Sequence, residues 1–162
     1  MNLYLLDANV LIRAHEDYYP VDRIPQFWEW LLVMAERNRI KTPREIYDEV
    51  APSNGLLAEW LRQQTVKDAL VLKETSDLAT VQRVVAQGYA PDLNDVELEQ
   101  IGRDPFLVAA AIMKPNRVVV TKENSKPSVT RSKRKIPDIC TTFGVRCIND
   151  FVLYRELKFS IK

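Results

Sequence analysis

The chain has 162 residues, the size of one domain able to bury a core of its own. Its hydrophobic fraction of 46% and charged fraction of 28% are those of an ordinary globular protein, and no apolar run nears the ~20 residues of a membrane-spanning helix. The net charge of +1 hides an uneven distribution. No basic, apolar leader precedes the first strand, so no signal peptide is expected. Cys140 and Cys147 form neither a disulfide framework nor a zinc-ligand spacing, and read as reduced core residues of a cytoplasmic protein.

The apolar run Leu3-Tyr4-Leu5-Leu6 reads as a buried strand, and Asp7-Ala8-Asn9-Val10-Leu11-Ile12 as a polar step into a helix. Phe27, Trp30, Leu31, Met34 and Ala35 recur at helical spacing within a helix expected over 26–39. Ile40-Lys41-Thr42 is a short second strand, and Pro43 starts a helix that carries Ile46, Tyr47 and Val50. Leu56, Leu57, Trp60 and Leu61 mark another helix. Ala69-Leu70-Val71-Leu72 looks like a third strand, followed by a helix over 76–87 with Gly88 as its stop. A short acidic segment over 93–101 precedes an apolar helix headed by Asp104 and Pro105. Arg117 to Val120 reads as a buried strand, then a long loop over 124–135. A helix over 137–143 closing at Gly144, a strand over 145–148 and a tail helix over 150–157 complete the chain. Strands alternating with helices call for one α/β domain over 1–162, a three-layer α/β/α sandwich around a parallel sheet.

Ligands of open α/β sheets bind outside the carboxyl ends of the strands, and there the acids gather. Asp7 follows the first strand, Glu123 follows Val119-Val120-Thr121-Lys122, and Asp104 opens a helix. Each also has an ordinary role: Asp7 a turn, Asp104 an N-cap before Pro105, Glu123 an exposed strand end. The helix from Pro43 offers Glu45, Asp48 and Glu49. Glu49 borders the apolar stripe through Ile46 and is the better candidate, with Glu45 as its substitute and Asp48 solvated. Separate acids aimed at one rim suit a divalent cation, because hard cations prefer oxygen ligands. Lys126, Arg131, Lys133, Arg134 and Lys135 follow with no acid among them, which fits either a solvated loop or an anionic partner.

The ordered set resembles the PIN-domain nucleases: Leu5-Leu6-Asp7-Ala8-Asn9-Val10-Leu11-Ile12, then Glu49-Val50, then Asp104 before Leu107-Val108-Ala109-Ala110-Ala111, then Val119-Val120-Thr121-Lys122-Glu123. It is most similar to a small bacterial PIN branch that also carries stretches like Lys135-Ile136-Pro137-Asp138-Ile139-Cys140 and Gly144-Val145-Arg146-Cys147. The resemblance implies a Mg²⁺- or Mn²⁺-dependent endoribonuclease of the VapC toxin type, with Asp7, Glu49, Asp104 and Glu123 as the acidic, metal-binding cluster. Asn9 and Thr121 would orient those acids, and the five basic residues would meet the RNA. An RNA substrate, a cognate antitoxin and a homodimer are the partners it implies. Most members carry Asp where this chain has Glu123, one methylene longer.

Other classes fare worse. Haloacid-dehalogenase-like enzymes want a second Asp where Asn9 stands, and the four glycines form no phosphate-cradling turn. His15, the single histidine, reads as structural. A PIN-like module that binds RNA or protein without cutting is the alternative from another class.

Overall fold

The computed structural model describes all residues, 1–162. In chain order the elements are β1 (Leu3–Leu6), α1 (Ala8–Arg13), α2 (Pro25–Glu36), β2 (Ile40–Lys41), α3 (Arg44–Val50), α4 (Leu56–Arg62) and α5 (Gln64–Leu70). They continue with α6 (Leu78–Arg83), α7 (Asp95–Ile101), α8 (Asp104–Ile112), β3 (Arg117–Val120), α9 (Ile136–Phe143), β4 (Arg146–Ile148) and α10 (Asp150–Glu156). The four strands form one all-parallel sheet in the order β2-β1-β3-β4, an α/β sandwich.

The sheet is built from the runs that are apolar without alternation. Val118, Val119 and Val120 are all buried although neighbours on a strand face opposite sides, so both faces of β3 are covered. Burying each such valine contributes about 1.5–3 kcal/mol. Leu5, Leu6 and Ile40 join them in a continuous core with Leu107, Val108, Ile139 and Leu153. An aromatic cluster lies in the same core, where Tyr19 stacks on Phe27 at 4.6 Å between ring centroids and Trp28 meets Trp60 at 4.9 Å. No helix is long and apolar enough to cross a membrane.

The strand order positions the site. From β1 the chain travels outward to β2, then crosses back to β3 on the other side of β1. Connections therefore diverge between β1 and β3, opening a crevice at their carboxyl ends where α/β proteins receive ligands. Leu6 pairs with Val120, so the next residues, Asp7 and Thr121, emerge side by side. The Asp7 amide donates to the Val120 carbonyl at 2.9 Å and holds that register one step further.

Two segments differ from expectation. Ala69-Leu70-Val71-Leu72 is not a strand: α5 runs through Leu70, burying Val66 and Leu70 on one helical face, and only Val71 bridges Thr42. Four apolar residues in a row satisfied both readings, and the helix begun at Gln64 prevailed. Gly88 does not stop its helix either. The chain widens into π-helical turns over Val84–Tyr89, with Gly88 inside them. A Cβ there would stand 3.1 Å from both Ile139 Cγ2 and Phe143 Cε2, so glycine permits close packing against α9. Gly144 does close α9, in the left-handed conformation at φ 67.

Candidate functional site

Asp7 is 5% exposed and held from two sides. Its Oδ1 accepts from the Ala8 amide at 2.8 Å as the N-cap of α1, and its Oδ2 accepts from Thr121 Oγ1 at 2.8 Å. Thr121 is 1% exposed, and its hydroxyl is fully used. It donates once to Asp7 and accepts from Asn9 Nδ2 at 3.3 Å and from the Glu123 amide at 3.1 Å. Asn9 Oδ1 in turn accepts from the Lys122 amide at 3.0 Å. Asn9 and Thr121 thus tie the turn after β1 to the turn after β3.

Glu123 turns its Oε2 to the Ile136 amide at the start of α9, 3.2 Å away. Asp104 lies in the first turn of α8 and makes no side-chain cap bond; Arg103 holds the cap position. Arg103 Nη1 donates to the Glu45 carbonyl at 3.1 Å, fastening the start of α8 to α3. On α3, Glu45 accepts from Ser76 Oγ at 2.7 Å, which occupies it elsewhere. Glu49 is the α3 acid that acts on the cluster, and Asp48 is exposed.

The cluster raises the proton affinity of Asp7 and Asp104. Burial pushes the Asp7 carboxyl up to about 6; the charges of Glu123 and Glu49 add to this, while the Thr121 and Ala8 hydrogen bonds oppose it. Burial pushes Asp104 up to about 8, with Asp7, Glu123 and Glu49 adding and Lys135 opposing. Glu49 is exposed as a whole residue, yet its carboxyl is crowded enough for burial to raise it, against the nearby Arg103. No three of these acids, or of any His, Cys, Asp and Glu side chains, close to direct three-ligand spacing. The arrangement is an all-oxygen donor set with excess negative charge. It fits a hydrated cation such as Mg²⁺, which takes one or two carboxylates and keeps several waters.

The basic segment after Glu123 is ordered and divided in its roles. Arg131, at a left-handed φ of 56, grips Glu97 of α7 with Nε at 2.8 Å and Nη2 at 2.9 Å, and reaches Asp92 at 2.8 Å. Arg134 Nη1 donates to the Gly88 carbonyl at 2.5 Å and Nη2 to the Asp138 carbonyl at 3.2 Å. Both arginines shape the loop. Lys126 and Lys133 are exposed and Lys135 is half-buried, their ammonium groups free of protein partners.

Sequence reasoning missed several participants. Lys122 lies behind the rim, its Nζ 3.1 Å from Asp150 Oδ1 and 3.1 Å from Tyr18 Oη, and 4.5 Å from the centre of the Phe151 ring. Asp150 is fully buried. Burial lowers the affinity of Lys122 for its proton, but Tyr18 and Asp150 outweigh it and leave the pKa raised. Asp138 is buried too, accepting from Ser125 Oγ and, at 2.8 Å, from the Lys126 amide, so it anchors the loop's first half. Tyr89 is buried beside the acids; burial raises its pKa first, then the charges of Asp104 and Glu123. Cys140 is buried and half-buried Cys147 contacts it; that contact first, then burial, raises the Cys140 pKa, which keeps the thiol protonated and unreactive. His15 accepts from the Val21 amide at 3.1 Å, a structural bond.

Fold and site together define an α/β sandwich protein with an acidic crevice at the switch point of its sheet. The chain belongs to the family described as a domain of unknown function, DUF4411, which matches it over residues 4–161. Comparison with curated proteins and with solved structures gave no match.

Proposed function

We propose that the protein is a ribonuclease of the PIN type that hydrolyses RNA phosphodiester bonds with Mg²⁺ or Mn²⁺. The reading is carried by one observation: Asp7, Glu49, Asp104 and Glu123, from four separate parts of the chain, share one electrostatic field beside the β1–β3 crevice. Capping and turn bonds account for Asp7 and Glu123 singly, but not for gathering four acids where burial and neighbouring charge disfavour ionisation of Asp7 and Asp104, a cost that functional sites commonly carry.

Asp7, Asp104, Glu123 and Glu49 are the residues that would hold the cation, which when bound polarises phosphate oxygens and acidifies water. Thr121 and Asn9 keep Asp7 in one orientation, so its carboxylate is preset. Glu123 has one oxygen committed to α9 and one left for the site. At neutral pH Asp104 holds its proton much of the time, and a positive charge nearby favours the ionised form. Lys126, Lys133 and Lys135 supply free positive charge for the RNA backbone, while Arg131 and Arg134 hold the segment that presents it. The cellular role in this proposal is the toxin of a type II toxin–antitoxin pair in the cytoplasm, with a cognate antitoxin and a homodimer as its partners. That part rests on the resemblance to VapC-type proteins.

The test is cleavage of a panel of single-stranded RNAs by purified protein. Mg²⁺ or Mn²⁺ is expected to support cutting, a chelator to abolish it, and Asp7→Asn to remove most of it with the fold intact. Undiminished cutting by Asp7→Asn, or a panel left whole under every metal condition, refutes the reading. Growth arrest on induction, relieved by Asp7→Asn, tests the toxin role separately.

A further inference from the structure

Acids and lysines meet in one cleft of about 310 Å³, lined by Asp104 and Glu123 together with Lys126, Lys133 and Lys135. A second depression of about 350 Å³ shares Glu123, Lys126 and Lys135 with it. Tyr89 belongs to the wall of the first and is 7% exposed. Its hydroxyl is shut off from water and has no hydrogen-bond partner. A buried donor without an acceptor costs free energy and is uncommon in a finished structure. The nearest acids do not take it: Asp104 makes no side-chain hydrogen bond, and Glu123 gives Oε2 to Ile136. A neutral phenol donor and three free ammonium groups around one cavity lack an acceptor with several oxygens and negative charge.

We propose that this cleft seats a phosphate group of the bound RNA chain, beside the bond that is cut, with Lys126, Lys133 and Lys135 supplying charge and Tyr89 the inner hydrogen-bond donor. The inference rests on the nuclease reading and extends it. The substrate must carry a phosphate beyond the one facing the acids, so a chain is preferred to a mononucleotide.

The experiment uses the full chain with Asp7→Asn to prevent cleavage, compared with the same protein also carrying Tyr89→Phe or Lys133→Ala. Two probes are used, a short single-stranded RNA followed by fluorescence anisotropy and inorganic phosphate followed by melting temperature. Tyr89→Phe is expected to weaken RNA binding about tenfold, the value of a hydrogen bond to a charged acceptor. It is expected to leave the melting temperature unchanged or higher, because it deletes an unpartnered polar atom. Lys133→Ala is expected to weaken binding and flatten its salt dependence. Equal RNA affinity with and without the Tyr89 hydroxyl overturns the seat while leaving the nuclease reading standing. Loss of affinity with a lowered melting temperature also overturns it, since Tyr89 is then structural. If RNA fails to bind, the nuclease reading falls and the RNA seat with it, even where phosphate raises the melting temperature only when the hydroxyl is present, which would mark a site for a free anion instead.

Discussion

Asp104→Asn removes a charge that the fold holds at a cost. The carboxyl sits at about 8 against an ordinary 3.8, with burial and three neighbouring acids responsible. At about 1.4 kcal/mol per tenfold change in proton affinity, that displacement caps the cost of ionisation at about 6 kcal/mol. Asp104 is only half-buried, and solvent screening brings the expected figure to about 2 kcal/mol. The folded chain binds this proton more tightly than the unfolded chain, so stability is full below pH ~4 and falls as pH rises from there through 8. Asparagine does not titrate. The variant should therefore match the parent near pH 4.5 and exceed it by about 2 kcal/mol at pH 9. Asp7, displaced upward to about 6, tilts both curves the same way over a narrower range. Urea unfolding in chelator at several pH values measures the difference directly. A stability gap that does not change with pH, or an asparagine variant weaker than the parent at pH 9, refutes the account of Asp104 as a carboxyl held against burial and its acidic neighbours.

Thr121→Val removes the one hydroxyl that bonds Asp7, Asn9 and the Glu123 amide, and should cost about 1–3 kcal/mol in denaturant unfolding while lowering any RNA cleavage. Lys122→Met strands the fully buried Asp150 carboxylate, for an expected loss of about 3–5 kcal/mol, and combining it with Asp150→Asn should recover much of that. Gly88→Ala forces a methyl to 3.1 Å from Ile139 and Phe143, an overpacking worth about 1–3 kcal/mol that a melting curve detects.

The central strands were legible because Leu3–Leu6 and Arg117–Val120 are short apolar runs bounded by polar breaks, and a strand buried on both faces has no other signature. Asp7 was legible for the same reason, since the residue ending such a run emerges at the ligand edge of the sheet. The nearness of Glu49 to Asp7 and Asp104, with Glu45 turned to Ser76, matches its place beside Ile46. Residues 69–72 misled because four apolar residues fit a helix end as well as a strand, and the Gln64 start carries no capping side chain. Arg131 and Arg134 could not be told from their lysine neighbours by charge. Their partners, Glu97, Asp92 and the Gly88 carbonyl, come from distant sequence, and the fork of the guanidinium is the feature that selects them. Tyr89 escaped because it follows Gly88, where the helical pattern ends by propensity but continues in the folded chain.

The way the basic segment is pinned bears on its thermodynamics as a binding surface. With Arg131 clamped to α7, Arg134 on the Gly88 carbonyl and Asp138 gripping the Lys126 amide, the lysines stand on a frame that is already rigid. An anion arriving there restricts only the lysine side chains, about 0.5–1.5 kcal/mol each, and no loop backbone has to be ordered. Association at this face should therefore show a small heat-capacity change and rates governed by ionic strength, the behaviour of a surface that is charged in advance and does not fold on contact.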